Sequence, residues 1–225
     1  MTHVQFAYEE DLCDVLAARL PAVLVRNSPR KMTHTFPQRA VGTVIPDLIY
    51  IRAYASRKQL LPVSGLTALE SAIVAALLLG RPLTDATIAR RLYSQVDRIT
   101  PRLRALERRG VIEQPSHGVW VVRRKTILKR TRVVAVEAKL RRWRDAVEQA
   151  ASYLAFANQS YVALPLAIAE RNVALREACL NARVGLALVE PKRVTLALIA
   201  ATHHPRTADR VWLLSRTLPH LVGQS

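Results

Sequence analysis

The α/β texture of this chain breaks off near residue 60 and resumes near residue 128, and that break most constrains the fold. Residues 66–124 read instead as three helices followed by two short strands. Gly80 and Gly110 close the first and third of these helices, Thr84 is the N-cap of the second, and a Pro-Ser-His-Gly turn joins the strands. On either side, apolar runs such as GTVIPDLIYIR, RVVAVEAKL, SYVALP, VGLALVE and VTLALIA read as strands, separated by amphipathic helical stretches. The simplest architecture is one α/β domain made of residues 1–60 and 128–225, with a small domain of residues 66–124 inserted in it. Insertions succeed at exposed loops whose ends lie close together. RAYASRKQLLPVSG and RKTILKRT read as the two linkers.

Within the outer domain, FAYEEDLCDVLAARLP is expected to be a helix that ends at Pro21. AVLVRN reads as a short strand and SPRKMTHTFPQRA as a polar loop. Glu9 falls on the apolar stripe of the first helix, where a carboxylate is costly to bury without a cation nearby.

The charge balance narrows the partners. Lys and Arg number 34 against 17 acidic residues, a net charge of +17, while half the residues are hydrophobic. A folded chain with that excess is suited to a polyanion, with nucleic acid first and an anionic membrane surface second. No amphipathic basic helix is found that would favour the membrane, so no membrane partner is expected. Two cysteines without metal-ligand spacing fit a reducing cytoplasm and argue against a zinc site.

The residues that carry chemistry lie on two of the apolar strands. Successive strand residues alternate faces, so Glu137 and Lys139 point one way and Ala138 the other. Asp47 stands on another apolar strand, just after Pro46. If those strands are neighbours, two carboxylates and the Ala138 backbone oxygen converge. Such oxygen donors suit Mg²⁺ or Mn²⁺ and not zinc. Lys139 would orient a water or stabilise developing charge. Gln149 and Tyr153 stand one helical turn apart on the following helix and would approach the same place.

Pro46-Asp47 followed by Glu137-Ala138-Lys139 resembles the PD-(D/E)XK nuclease motif, and Gln149-Ala-Ala-Ser-Tyr153 resembles the QxxxY extension of one branch of that superfamily. The resemblance implies a restriction-endonuclease-like fold, with a mixed central sheet flanked by helices. It implies Asp47 and Glu137 as metal ligands with the Ala138 carbonyl, Lys139 as the catalytic lysine, and Gln149 and Tyr153 as supporting groups. Glu9 stands where such proteins often carry a helical acid near the metal. The departure from the pattern is the separation of Asp47 and Glu137, 90 residues, which the inserted domain accounts for.

The inserted segment resembles the winged helix-turn-helix domains of bacterial regulators. Ile88 and Leu92 would pack the first helix of the motif and Val96, Ile99, Leu103 and Leu106 the second, leaving Arg98, Arg102, Arg104 and Arg108 exposed on the helix that such domains place in the major groove. Arg123 and Arg124 at the exit linker, with Arg141 and Arg142 after the Glu137 strand, extend the basic surface. The expectation is a Mg²⁺- or Mn²⁺-dependent nuclease acting on double-stranded DNA, with a homodimer allowed by the resemblance. The alternative is a non-enzymatic DNA-binding regulator that uses the nuclease fold as a scaffold.

Overall fold

The computed structural model describes residues 6–24, 32–53, 61–123, 131–170 and 172–222. The chain divides into two compact units, residues 1–52 with 132–204 and residues 53–131 with 205–225.

The first unit is built on a six-stranded sheet. In chain order its strands are β1 (Met32–Pro37), β2 (Leu48–Ala53), β6 (Thr131–Ala138), β7 (Gln159–Pro165), β8 (Gly185–Glu190) and β9 (Arg193–Leu198), and they lie side by side in that same order. The sheet is mixed: β6, β7 and β8 run parallel and β9 closes antiparallel on β8. Parallel neighbours need crossovers, and α5 (Trp143–Ser152) supplies the first while α6 (Leu166–Ala169) and α7 (Val173–Asn181) supply the second. The stretch LAIAERNVALREACLN reads as one helix in the sequence, but the structure divides it in two. Asn172 breaks it, accepting from the Leu175 N–H at 2.9 Å and so capping α7.

Strand alternation sorts the sheet into two cores. On one face, Leu12, Leu16 and Leu20 of α1 (Glu9–Leu24) pack on Leu48, Tyr50, Val134, Val136, Tyr161 and Ala163. On the other, Ala146, Val147 and Ala150 of α5 pack on Val162, Leu164, Leu175 and Leu186. Adjacent residues of β7 thus serve opposite cores, which is why that strand reads as an unbroken apolar run.

Two expectations for the N-terminal segment are corrected. Pro21 does not end α1; the helix runs on to Leu24. Leu20, fully buried against the sheet, holds that turn in place although Pro21 lacks an N–H to donate. Residues 25–27 of the expected AVLVRN strand lie outside the described residues. The polar segment read as a loop contains β1, an edge strand. An edge strand needs only one bonded side, which is why its polar residues and terminal Pro37 are tolerated.

Gly185 at the start of β8 is required by close packing. A Cβ there would run into the edge of the Tyr161 ring and lie 2.8 Å from the Ala200 backbone nitrogen. Tyr161 is itself buried, so the ring has nowhere to retreat. Gly185→Ala is expected to cost about 1–3 kcal/mol of stability, read as a lower melting temperature; an unaltered melt would refute the packing argument.

The second unit contains α2 (Ala68–Leu78), β3 (Leu83–Thr84), α3 (Asp85–Arg91), α4 (Val96–Arg108), β4 (Ile112–Ser116), β5 (Val119–Val122) and α8 (Ala208–Val222). Thr67 and Glu70 form a reciprocal capping box at the start of α2. Thr84 caps α3 by accepting from the Thr87 N–H at 3.2 Å. The three strands pair in the order β3-β5-β4, all antiparallel. Asp85 ties these parts together, accepting from Thr100 Oγ1 and from Trp120 Nε1, both at 2.6 Å. Val96, expected to anchor α4, is instead 45% exposed at its first turn, and Ile99, Leu103 and Leu106 carry the buried face. The sequence places the last helix in the α/β domain, but α8 belongs to this unit. Its Val211, Leu214 and Leu218 are buried, and its Ser215 carbonyl accepts from the Gly65 N–H at 2.8 Å. An amphipathic pattern marks a buried face without saying which core receives it. Among the described residues no helix is long and apolar enough to cross a membrane.

Candidate active site

Asp47 lies beside the strand of Glu137 because β2 and β6 are neighbours in the sheet, despite the long insertion between them. Asp47 Oδ2 accepts from the Ala138 backbone N–H at 2.8 Å. Ala138 turns its methyl group into the α1-side core, so Glu137 on the opposite face lies across from Val162 of β7. Glu137 is buried, with 3% exposure. Its Oε1 pairs with Lys139 Nζ at 2.9 Å, and its Oε2 accepts from Tyr153 Oη at 2.5 Å. Tyr153 reaches that position from the short 3₁₀ turn Tyr153–Ala155 at the end of α5.

Glu9, from the first turn of α1, completes the arrangement. Its Oε2 lies 3.6 Å from Lys139 Nζ, and its Oε1 accepts from the Leu140 N–H at 3.4 Å. One ammonium therefore serves two carboxylates directly. The cluster stands at the C-terminal end of β6, where parallel α/β sheets commonly bind their ligands.

The electrostatics follow from crowding. Burial raises the Asp47 carboxyl above its ordinary range and Glu9 adds to this, although the Ala138 N–H and Lys139 oppose it. Glu137 is raised by burial and by the charge of Asp47, against the bonds from Lys139 and Tyr153. Burial would lower Lys139, but the bond to Glu137 and the charges of Glu137, Asp47 and Glu9 outweigh it and raise the ammonium. Tyr153 is raised by burial and by Glu137, so it stays a donor. Cys13, half-buried on α1, is pushed up to about 12 by burial and then by Asp47, Glu9 and Glu137. Of these acids only Glu9 shares α1 with Cys13; Asp47 and Glu137 come near it through the sheet, which sequence spacing does not show.

Gln149 does not join the cluster. It is exposed on α5, and its side chain makes no hydrogen bond among the described residues.

Among the described residues no group of three or more His, Cys, Asp or Glu is disposed to hold a metal ion. The donors nearest one another at the end of β6 are oxygens, the carboxylates of Asp47 and Glu137. Mg²⁺ is commonly held by one or two carboxylates with waters completing its shell. The donor set fits such an ion and does not fit zinc.

In the second unit Arg98, Arg102, Arg104 and Arg108 are all exposed on α4. Arg104 is engaged: its guanidinium lies 5.0 Å from the Trp120 ring centroid and 3.1 Å from Glu107 Oε2. Arg123 pairs with Glu113 at 3.4 Å, while Arg124 lies outside the described residues. Tyr93, in the turn between α3 and α4, is 99% exposed with φ +49°. In the first unit Arg141 and Arg142 are exposed, Arg142 in an ion pair with Asp145 at 3.3 Å.

No family model matches the chain, and no curated protein matches it. Among solved structures it is similar to a protein of unknown function from Silicibacter pomeroyi. The two share 9% sequence identity at a TM-score of 0.46, over 98% of this chain and 90% of that one.

Proposed function

We propose that the chain is a metal-dependent deoxyribonuclease of the PD-(D/E)XK type, hydrolysing DNA phosphodiesters with Mg²⁺ or Mn²⁺. The observation that carries this reading is the junction of β2 and β6. There Asp47 is fixed by the Ala138 N–H, and Glu137 is held between Lys139 and Tyr153. Asp47, Glu137 and the Ala138 carbonyl would hold the ion. A bound divalent ion lowers the pKa of water and neutralises charge on phosphate.

Each of the chain's own groups has a separate task. Tyr153 donates to Glu137 and fixes its carboxylate plane. Lys139 stays an ammonium across the working range and presents its remaining donors to the attacking water and the phosphate oxygens. Water adds to phosphorus, one ester P–O bond breaks, and a proton ends on the leaving oxygen. The products are a phosphomonoester and a hydroxyl. Glu9, 3.6 Å from Lys139 Nζ, is a second carboxylate that holds the ammonium in place. Gln149, exposed on α5, is left as a contact for substrate.

The second unit is read as a winged helix-turn-helix that positions duplex DNA. The support is the order α3-turn-α4 followed by the β4–β5 hairpin, with Arg98, Arg102 and Arg108 exposed on α4. Residues 53–131 of this unit lie between Asp47 and Glu137, as an insertion into a nuclease-like fold would, while its α8 comes from beyond residue 204.

Digestion of linear, circular, single-stranded and branched DNA tests the reading. Cleavage is expected with Mg²⁺ or Mn²⁺ and is expected to stop on chelation with EDTA. Binding without cleavage of any substrate across divalent metals would instead make the chain a DNA-binding regulator.

A further inference from the structure

A pocket of about 350 Å³ opens beside the carboxylate cluster, at the C-terminal ends of β6 and β7. Glu9 belongs to both, so the pocket begins where the cluster ends. Its walls are of two kinds. Phe6, Leu140, Pro165 and Ile168 are apolar, and Arg141 and Arg142 are exposed guanidiniums at its rim. The Leu140 N–H, bonded to Glu9, fixes the wall between pocket and acids.

We infer that this pocket receives one unpaired nucleotide adjacent to the scissile phosphate, and that the substrate is DNA with a free or frayed end. The inference rests on the nuclease reading for the word scissile. Its geometry is independent of that reading. Apolar and aromatic side chains accept the face of any base, which gives affinity without sequence preference. Guanidinium forks suit the phosphate that such a nucleotide carries. A recess of this size lies at the small end of ligand pockets. It has room for one nucleotide and not for a base pair with both backbones. Withdrawing a base from an intact stack is costly, and the cost is least where the base is already unpaired. Ends and overhangs are therefore favoured over the interior of a closed duplex.

Binding of deoxyadenosine 5′-monophosphate, measured by calorimetry in EDTA, reads the pocket without any cleavage. Wild type and Glu137→Ala are expected to bind it. Arg141→Ala/Arg142→Ala is expected to weaken it by about tenfold, and Ile168→Trp, which fills the pocket, to remove binding. If Ile168→Trp does not fold, Arg141→Glu/Arg142→Glu makes the same comparison. With Mg²⁺ present, wild type should cut a single-stranded overhang faster than a closed circle, and the pocket variants should lose that preference. Wild type that fails to bind the nucleotide, or variants that bind it as wild type does, would overturn the pocket inference even if DNA is cut. Nucleotide binding that tracks the pocket variants, in a chain that cuts no DNA, would keep the pocket and discard the nuclease.

Discussion

A chain carrying Glu137→Ala or Lys139→Ala is expected to bind DNA as the wild type does and to cut it at least about 100-fold more slowly. The two variants fail for different reasons. Glu137→Ala removes the buried carboxylate that takes Lys139 at 2.9 Å and Tyr153 at 2.5 Å. Tyr153 then loses its acceptor, and Lys139 is left with Glu9 at 3.6 Å, displaced from the acids it serves. Lys139→Ala leaves Glu137 buried with a hydroxyl donor but no cation. The carboxyl then holds its proton more tightly and is a poorer ligand at neutral pH. DNA affinity is expected to survive in both, because the exposed arginines of α4 are untouched. Circular dichroism confirms folding, and gel-based cleavage at matched concentration gives the rate. A Lys139→Ala chain cutting at the wild-type rate would remove the lysine from the chemistry and with it the motif on which the assignment depends.

Asp47→Asn is expected to end cleavage while raising the melting temperature of the metal-free chain near neutral pH. The sign follows from the direction of the shift. The Asp47 carboxyl is raised above its ordinary value of 3.8 in the folded chain, chiefly by burial. Below 3.8 it is protonated in both folded and unfolded chains, and its contribution to stability is fully present. As pH rises through the folded value, the folded state must ionise a desolvated group and that contribution is lost. Glu137 behaves in the same direction from its ordinary value of 4.5. An asparagine at 47 can still accept from the Ala138 N–H but carries no charge, so the decline in stability from acid to neutral pH should become shallower. Divalent ion should act the opposite way. At 100 times its dissociation constant Mg²⁺ should stabilise the wild type by about 2.7 kcal/mol, and Asp47→Asn should gain far less. Melts from pH 4 to 8, with and without Mg²⁺, separate the two effects. Matching pH slopes and matching Mg²⁺ gains in the two chains would place Asp47 outside the ion site.

Much of the site is legible in the residues themselves. The two-residue repeat that sets Glu137 and Lys139 on one face, with Ala138 facing the core, is a local property of a strand. It survives whatever lies further along the chain. The Asp47 partnership is of another kind, since only the adjacency of β2 and β6 makes it real, and adjacency is a property of the whole sheet. The same division explains the errors. Pro21 reads as a stop because the local cost of a proline is visible and the anchoring of Leu20 is not. β1 reads as a loop because an edge strand needs little apolar content. Gln149 reads as a partner of Tyr153 from spacing alone, but burial of Tyr153 and exposure of Gln149 set them in different surroundings. The α8 pattern marks a buried face correctly and says nothing of which neighbour covers it.

The two units are interleaved along the chain, and this bears on how the protein is made. The first unit needs residues up to 204 and the second waits for α8, so residues 53–131 are synthesised before either unit has all of its segments. Asp47 leaves the exit tunnel long before Glu137, and the acids come together only after the inserted residues have been synthesised. A nascent chain shorter than 137 residues therefore holds Asp47 without the strand that is to lie beside it.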